Sequence, residues 1–396
     1  MNILFLMKVF EIGGQEVVTA TLAKSFVDHG HNVSIAVFNK PNPQMVARLD
    51  TRVKVYTIGE FRYTESNVRK LRKILIQEKA DIVINQWGLP YVPAKVLHKA
   101  RKGLGIKTIA VYHNSPDSNA RLKGVELALE HTDNPLKRLL LFCKMFAFKQ
   151  ITSRSMRYVY YHSDLFMVLS PSFIDKFKCF TGIKNPNHLV VQTNPVTIDV
   201  SGYNFSPEEK QKEVLYVGRI DHNQKRVRRI IDAWTLLEKQ YPEWRLTIVG
   251  DGPERTNLER LVETERLKNV FFEGFKTPEP YYKRASILAL SSEYEGFGLV
   301  IVEAMSYGVV PVVLGSYSAV YDILEDGKNG FILPYDKAVG FNAKDMAGRM
   351  AWLMKHKDER EAIAYDAFVS SKRFDIEKIG SEWNKQLNNV YGVYMP

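Results

Sequence analysis

The sequence SSEYEGFGLVIVEAMSYG, from Ser291 to Gly308, carries the clearest fold signal in this chain. It carries Glu295 and Glu303 with seven residues between them, and two glycines follow closely on the first glutamate. Apolar runs precede and follow it, at 286–291 and 309–314. Strand, glycine-rich turn, short helix and strand form a βαβ unit, in which the turn and the first helical amides face a ligand crevice. The stretch therefore predicts a parallel sheet with a ligand site at the carboxyl end of a strand.

The length and the net charge of the chain limit the number of domains and the kinds of partner to expect. A chain of 396 residues is too long for one compact core, so two domains of roughly 150–200 residues are expected. Hydrophobic residues make up 45% of the chain and charged residues 25%, as in soluble globular proteins. The net charge of +11 indicates attraction to polyanions. Nucleic acid, nucleotide phosphates and an anionic membrane face all fit that attraction.

The cysteines and the apolar runs bear on cellular location. Cys143 and Cys179 are the two cysteines, and we interpret both as core thiols in a reducing compartment. The apolar run at the start is too short for a signal peptide before Glu11 interrupts it. No run approaches the about 18–20 apolar residues that cross a bilayer. A cytoplasmic protein is expected, with peripheral membrane attachment left open.

Apolar strands and helical segments alternate along the chain, which predicts parallel sheets with helices on both faces. Gly13 and Gly14 follow the first strand without the GxGxxG fingerprint, so the pair is either an approach to a bound anion or a plain tight turn. The strand 108–112 delivers His113, for which a catalytic and a structural role are equally consistent with the sequence. The polar segment 195–212 is expected to link the domains.

One predicted helix, 136–151, lies within a segment, 134–163, that contains no acidic residue. Its broad apolar face and its basic side chains fit a helix that lies on an anionic membrane. They also fit a helix that packs on the sheet and keeps a solvated basic edge. We favour the second interpretation because a helix is needed at this place to cover the sheet.

Arg219 and Lys225 follow a predicted strand, and their planar fork and point charge suit a diphosphate. The alternative is a solvent-exposed basic loop, because further arginines follow at once. Glu295 and Glu303 stand about two helical turns apart, so we expect different partners: the ribose for Glu303 and the sugar end of a donor for Glu295. No DxD and no metal-ligand spacing occurs, so no metal or other cofactor is expected, and a cation between Glu293 and Glu295 is a minor alternative. Basic side chains and backbone dipoles would then meet the charge on a leaving diphosphate.

Taken together, these pieces resemble glycosyltransferase family 4 over nearly the whole chain. The similarity is carried by IGGQEVVTATLAKSFVDHGHNVSIAV, VLYVGRID with Lys225 after it, LTIVGDGPERTNLERLV, VFFEGF and LSSEYEGFGLVIVEAMSYGVVPVV. The resemblance implies a GT-B fold, an α/β architecture of two Rossmann-like domains whose parallel sheets face each other across a deep cleft. It implies an acceptor-binding domain over 1–198, to which a crossover helix at 375–396 returns, and a nucleotide-sugar-binding domain over 199–374.

The resemblance also implies roles for single residues. Arg219 and Lys225 would hold the donor diphosphate, Glu303 the ribose and Glu295 the donor sugar. His113 would lie beside that sugar and completes the implied catalytic set, which contains no metal. The nucleotide base would lie near Gly274 and Phe275, mainly on backbone groups. The other donor contacts would come from Gly14, Gly218, Phe297, Gly298 and Leu299.

The activity implied is retaining transfer from a nucleotide sugar to a glycan or lipid-linked glycan in surface polysaccharide synthesis. A GT-B sugar-nucleotide epimerase and a catalytically inactive GT-B partner subunit are the alternatives. Nucleic acid binding, the alternative suggested by charge, ranks last because aromatic residues are not interleaved along a basic stripe. The basic first domain with its helix 136–151 points to an acceptor at an anionic membrane.

Overall fold

The computed structural model describes residues 1–130 and 132–392. The chain divides into two compact units. The first consists of Met1–Pro195 together with the segment that begins at Ile376, and the second is Val196–Asp375. Each unit has its own parallel sheet, so the expected α/β architecture with two sheets is confirmed.

The first unit is built on a seven-stranded sheet in the order β3-β2-β1-β4-β5-β6-β7, and its described strand pairs all run parallel. The strands are β1 (Asn2–Met7), β2 (Asn32–Val37), β3 (Lys54–Thr57), β4 (Ile82–Asn85), β5 (Lys107–Tyr112), β6 (Leu165–Val168) and β7 (Leu189–Val191). The central strands are almost continuously apolar and buried, because helices cover both faces of such a sheet.

Helices connect these strands. They are α1 (Gly14–Asp28), α2 (Pro43–Val46), α3 (Glu65–Gln77), α4 (Tyr91–Ala100), α5 (Ala120–Glu130), α6 (Pro135–Tyr161) and α7 (Phe173–Thr181). The last helix of the chain, α15 (Ile376–Tyr391), packs on α1, where the rings of Trp383 and Phe26 lie 5.8 Å apart. The final four residues of the predicted crossover 375–396 lie outside the described residues.

The second unit has a six-stranded parallel sheet in the order β10-β9-β8-β11-β12-β13. The strands are β8 (Glu213–Val217), β9 (Arg245–Val249), β10 (Val270–Gly274), β11 (Ile287–Leu290), β12 (Val310–Leu314) and β13 (Phe331–Leu333). The helices are α8 (Arg228–Thr235), α9 (Arg255–Thr264), α10 (Glu279–Arg284), α11 (Leu299–Ser306), α12 (Ala319–Ile323), α13 (Ala343–Lys355) and α14 (Lys357–Ser371). The β11–α11–β12 unit occurs as the opening stretch predicts.

The predicted linker 195–212 contains the junction between the two units, which falls between Pro195 and Val196. From Val196 onward the segment belongs to the second unit and packs on it. The Val196 N–H donates to the Phe374 carbonyl oxygen at 2.9 Å. The ring of Tyr203 lies 4.5 Å from that of Tyr307. Polar residues dominate the segment and suggested exposure, but its few aromatic side chains are enough to hold it against the core.

The long helix α6 also corrects two predictions. Its second half is partly buried in the first unit, whereas its first half, over 135–151, is largely exposed and does not cover the sheet as we had favoured. Cys143, on this half, and Cys179, on α7, are both exposed rather than core thiols. An apolar sequence setting indicated burial, but the apolar neighbours of Cys143 on α6, such as Leu140 and Phe146, are themselves exposed. None of the described helices is long and apolar enough to cross a membrane.

Candidate functional site

Two loops of the second unit lie side by side because they follow neighbouring strands. Strands β8 and β11 pair directly, so the loop 218–227 and the loop 291–298 leave the same edge of the sheet. The Glu293 N–H donates to the Gln224 carbonyl oxygen at 2.7 Å. The side-chain amide of Gln224 donates in turn to the Tyr294 carbonyl oxygen at 3.2 Å. These two hydrogen bonds join the loop that carries Arg219 and Lys225 to the loop that carries Glu295.

Lys225 and Glu295 form an ion pair where these loops meet. Lys225 Nζ donates to Glu295 Oε1 at 2.5 Å, and the two side chains are only 15% and 9% exposed. A charge-assisted bond between largely buried groups is strong, and loss of one partner leaves the other charge uncompensated. From the sequence we expect both residues at a donor site, with separate tasks. The structure shows that they act on each other directly.

Glycine permits the close backbone approach beneath this pair. Gly218, after β8, has φ of 148°, and Gly250, after β9, has φ of 137°, values that favour glycine. A Cβ on Gly250 would lie 1.9 Å from the Gly218 carbonyl oxygen. The Tyr216 hydroxyl donates to the Arg219 carbonyl oxygen at 2.8 Å and fixes the next residues of the loop. Gly218 therefore shapes the loop, and its backbone groups are what this position offers to a ligand.

The loop after β11 ends at the amino terminus of α11. Gly298 is the N-cap with φ of 102° and makes no side-chain cap, so the first amides of the helix lack that partner. Phe297 is buried, with its ring 5.6 Å from that of Phe374, and Leu299 starts the helix half-buried. The side chain of Phe297 thus anchors the turn, and its backbone is what this position offers to a ligand. Helix amides at such an end favour oxygen-rich or anionic groups.

Glu303 is buried on α11 and accepts two hydroxyl hydrogen bonds. Thr197 Oγ1 donates to it at 2.5 Å and the Tyr282 hydroxyl at 3.1 Å. Burial raises the pKa of the Glu303 carboxyl, and the two hydroxyl donors act against that shift. Glu295 and Glu303 thus have different partners within the protein, and the expected contacts to the donor sugar and the ribose stay predictions. Thr197 and Tyr282 were missed by sequence reasoning, since nothing local marks them as neighbours of a glutamate.

The side chain of Arg219 is much more exposed than those of Lys225 and Glu295. Its side chain is 63% exposed, and its Nε donates to Asp221 Oδ2 at 2.9 Å. A terminal guanidinium nitrogen reaches Gln224 Oε1 at 3.4 Å. Asp221 Oδ1 also accepts the Gln224 N–H at 2.6 Å, so Asp221 organises the loop. The exposed guanidinium of Arg219 fits both interpretations made from the sequence. One is a solvent-exposed basic loop, and the other is a side chain that turns to bind a phosphate.

The turn after β10 is the predicted place of the nucleotide base. Gly274 has φ of 72° and its carbonyl oxygen accepts the Gly250 N–H at 2.8 Å. The next residue, Phe275, has 60% of its surface exposed. The turn therefore presents a free aromatic face and backbone groups at the same sheet edge as the loop after β9.

A second buried ion pair lies beside the first and was missed from sequence. Arg229 donates to Glu293 Oε2 at 2.9 Å, and the Tyr335 hydroxyl donates to Glu293 Oε1 at 2.7 Å. Arg229 belongs to the arginine run that suggested a solvated loop, so only tertiary structure could reveal its partner. Both Glu293 oxygens are engaged, which disfavours the minor alternative of a cation between Glu293 and Glu295. Among the described residues, no group of three or more His, Cys, Asp or Glu could hold a metal ion.

In the first unit, the predicted residues gather at the carboxyl ends of β1, β4 and β5. Gly14 opens α1, and the side-chain amide of Gln15 donates to the Gln86 carbonyl oxygen at 2.6 Å. His113 Nε2 lies 2.6 Å from Gln86 Oε1. Burial lowers the pKa of His113 to about 4, so the ring is neutral near pH 7. Within the described chain, Gln86 Nε2 and the indole nitrogen of Trp87 are buried without a hydrogen-bond partner.

Glu16 adds a titrating carboxyl to this glycine loop. It lies at the third position of α1, and its Oε2 is so close to Gly13 that a Cβ there would come within 2.5 Å. Burial raises the pKa of Glu16 to about 7, with a smaller contribution from Glu11. Sequence reasoning passed over it, although a glutamate three residues after an N-cap is a known helix-start signal.

We expect Glu16→Gln to stabilise the first unit at high pH. An acid whose pKa is higher in the folded state favours folding below its unfolded pKa and loses that contribution as pH rises through the folded value. The variant should therefore gain about 1–3 kcal/mol at about pH 8 and little at about pH 4. Urea unfolding at both pH values measures this, with the exposed first-turn Glu65→Gln as control. A variant that is equally or less stable at high pH contradicts the assignment.

Comparison with known proteins agrees with this geometry. Residues 12–200 match Glycosyltransferase Family 4, and residues 204–368 match Glycosyl transferases group 1. The Campylobacter jejuni "GalNAc-alpha-(1->4)-GalNAc-alpha-(1->3)-diNAcBac-PP-undecaprenol alpha-1,4-N-acetyl-D-galactosaminyltransferase" is 25% identical over 404 residues, covering 98% of this chain and 99% of its own. "Amylovoran biosynthesis glycosyltransferase AmsD" of Erwinia amylovora is 29% identical over 181 residues, 45% of this chain and 49% of its own.

A solved structure shares the fold. The crystal structure of Anabaena Alr3699/HepE in complex with UDP-glucose superposes with a TM-score of 0.75 at 19% identity, covering 98% of this chain and 99% of that one. The two parallel-sheet units and this likeness confirm the predicted GT-B fold. The two family matches follow each other along the chain and agree with the resemblance seen in the sequence. The protein therefore belongs to the family 4 type of GT-B glycosyltransferases.

Proposed function

We propose that this glycosyltransferase takes a sugar from a nucleoside diphosphate donor bound by its second unit. It transfers the sugar, with retention of anomeric configuration, to a lipid-linked glycan in surface polysaccharide synthesis. The observation that carries the proposal is the buried Lys225–Glu295 ion pair beside the amino terminus of α11. A cation, a carboxylate and helix amides at one place match the diphosphate and the hydroxyl groups of a sugar nucleotide.

Donor binding requires the ion pair to change partners or to share them. Lys225 offers its charge to the diphosphate, and Glu295 then accepts from hydroxyl groups of the donor sugar. Arg219 has an exposed guanidinium that can turn toward the phosphate oxygens and hold them with its planar fork. The backbone amides of Phe297 to Leu299, which follow Glu295 closely in the chain at the start of α11, are proposed as further donors to the sugar nucleotide. Each of these contacts replaces a hydrogen bond that the phosphates and the sugar make to water in solution.

Glu303 is the proposed ribose ligand. Its two carboxylate oxygens already accept hydroxyl donors, from Thr197 and Tyr282. The two ribose hydroxyls have the same hydrogen-bonding chemistry and can take the place of one or both. Nucleotide binding by a relative of the same fold, the Anabaena protein in complex with UDP-glucose, supports this assignment. The base would lie at Gly274 and Phe275, where an exposed ring and backbone groups are available.

In the first unit, we assign Gly14 and His113 to substrate. Gly14 has no side chain and lies at a helix start, so a phosphate can approach its amide. The neutral His113 is suited to hydrogen bonding with a sugar hydroxyl rather than to acid catalysis. The unpartnered amide of Gln86 supports a polar ligand at this place. An unpaired buried donor costs free energy that a bound hydroxyl group would recover.

Two relatives support the proposed acceptor. The name of the Campylobacter jejuni enzyme gives a PP-undecaprenol glycan as acceptor, and the Erwinia amylovora protein is named for amylovoran biosynthesis. A lipid-linked acceptor fits a basic protein with a net charge of +11 that works at the cytoplasmic face of a membrane.

The transfer breaks one bond and forms another at the anomeric carbon. The bond to the diphosphate oxygen breaks, and its electron pair leaves with the diphosphate, whose charge Lys225 and Arg219 stabilise. The acceptor oxygen bonds to the same face of the carbon, and its proton passes to a phosphate oxygen of the donor. This route retains configuration without a protein nucleophile. Because basic side chains stabilise the leaving group, the proposed reaction is independent of a divalent metal.

Transfer to a lipid-linked oligosaccharide tests this proposal. We expect product whose new linkage has the anomeric configuration of the donor, as read from proton coupling constants by NMR. Turnover should stay within about twofold after treatment with EDTA, since preorganised side chains and not a metal carry the charge. Added magnesium or manganese serves as the control. An inverted product, or a loss of turnover that these ions restore, contradicts the proposal.

A further inference from the structure

The first half of α6 carries an exposed apolar row. Large side chains on this half have more than half of their surface exposed, with values such as 60% for Leu139 and 66% for Phe146. From Leu136 to Phe146 the residues recur at helical spacings of three and four, and Ile151, five residues further on, falls at the edge of the same face at 100° per residue. The exposed residues of the row are Leu136, Leu139, Leu140, Cys143, Phe146 and Ile151.

The row faces away from the side on which this helix half packs. Leu141, Met145 and Phe148 are less exposed than their neighbours and mark the packed side. At 100° per residue these three lie roughly opposite the row. Packing by the residues that the structure describes therefore does not cover the row. A contiguous apolar face of this kind on a folded protein indicates a contact surface.

The charges on α6 itself have one sign. No acidic residue occurs anywhere in the segment 134–163. Lys137 and Lys144 flank the row on one edge, and the exposed Arg154 continues its line beyond Ile151. Basic side chains at the border of an apolar helix face match the layering of a bilayer surface, where anionic headgroups lie above acyl chains.

We propose that this row and its basic border dock the protein on an anionic lipid bilayer. This inference deepens the proposed function and rests on it in one respect. The proposed lipid-linked acceptor places the reaction at a membrane. The charges argue against a second copy as the occupant, because two identical rows would bring lysine against lysine. Apolar side chains enter the boundary of the acyl chains, and Lys137, Lys144 and Arg154 meet the headgroup phosphates.

Vesicle binding tests the apolar part. The full-length protein is mixed with vesicles of phosphatidylcholine and phosphatidylglycerol, and the bound fraction is measured by sedimentation. We expect Leu139→Glu combined with Phe146→Glu to weaken binding by at least about 100-fold, because two apolar side chains no longer enter the membrane. Ile76→Glu is the matched control, since Ile76 is also exposed on a helix of the first unit. An unchanged affinity of the double variant overturns the proposal.

A second pair of measurements tests the charges. Lys137→Gln, Lys144→Gln and Arg154→Gln together should weaken binding to these vesicles by about 100-fold. Binding of the wild type to vesicles of phosphatidylcholine alone should be weak, and salt should lower its binding to the mixed vesicles. Equal binding to both kinds of vesicle overturns the anionic part. Light scattering tests the alternative that a second copy of the chain covers the row. A wild-type dimer that Leu139→Glu with Phe146→Glu converts to monomer would overturn the membrane assignment.

These measurements need neither donor nor acceptor, so they separate this proposal from the proposed function. The substituted residues lie outside the candidate donor site, and both α6 variants should release nucleotide from a soluble donor at the wild-type rate. If vesicle binding fails while donor turnover persists, the docking surface is wrong and the activity stands. If vesicle binding occurs as expected without donor turnover, the activity is wrong and the docking surface stands.

Discussion

Replacement of Lys225 by alanine is expected to lower kcat by about 10²–10³, which is the effect of removing one preorganised electrostatic contact to the leaving group. The side chain is only 15% exposed and its charge lies 2.5 Å from Glu295, so it is held in place before substrate arrives. Its removal takes away the cation that stabilises charge on the diphosphate as the glycosidic bond breaks. Steady-state release of nucleoside diphosphate measures the change.

Two further variants keep this prediction testable. Lys225→Ala leaves the Glu295 carboxylate without its partner and can reduce stability, so Lys225→Gln, which retains a donor to that carboxylate, is measured beside it. Lys239→Ala removes an exposed lysine of the same unit and should leave kcat unchanged. Thermal unfolding shows whether each variant is folded. A folded Lys225 variant with near-normal kcat would refute the role of this residue.

Replacement of Glu295 by alanine should lower kcat/KM by about 10²–10³ through lost contacts to the transferred sugar. The carboxylate also holds Lys225, so the variant frees a largely buried cation to take other positions. Glu295→Gln keeps the size and some hydrogen bonding and should be impaired less. The exposed Glu263→Ala on α9 is the control. Normal kcat/KM in Glu295→Ala would remove the residue from the site.

The double variant separates an interacting pair from two independent residues. Lys225→Ala and Glu295→Ala together should lower kcat/KM by much less than the product of the single effects, because each single change already disables the pair. Their 2.5 Å contact is the structural reason for this expectation. Fully multiplicative losses would show that the two side chains act separately.

Much of the fold could be predicted because local pattern and packing agree. The stretch from Ser291 to Gly308 has an apolar run on each side, and in the structure these runs are the neighbouring strands β11 and β12. Strands buried on both faces leave a plain apolar signature in sequence. The alternation of these units predicted parallel sheets, and the family resemblance implied the GT-B fold.

The candidate site was only partly predictable, since sequence spacing does not reveal contacts across the fold. Lys225 and Glu295 were both singled out, but their pairing requires β8 and β11 to be neighbours. Thr197 lies in the segment taken for a linker, yet it donates to Glu303. Arg229 looked like part of a solvated basic run, yet it pairs with a buried Glu293. In each case a polar residue is held by a partner far away in sequence.

Exposure was the least predictable property. The apolar sequence around Cys143 suggested burial, because apolar helix residues usually face a core. The structure instead turns one side of α6 outward along its first half, and Cys143 lies on that side. A helix that exposes one of two apolar faces can have the same composition as a helix whose apolar residues are all buried. Composition therefore does not tell which face is covered.

The most direct test of the donor site is nucleotide release from a panel of UDP-, GDP- and ADP-sugars by the wild type, Lys225→Ala and Glu295→Ala. We predict saturable release by the wild type from at least one of these donors, and a loss of about 10²–10³ in both folded variants. No release from any of these donors, or equal release by all three proteins, would contradict the assignment of Lys225 and Glu295 to a sugar-nucleotide site.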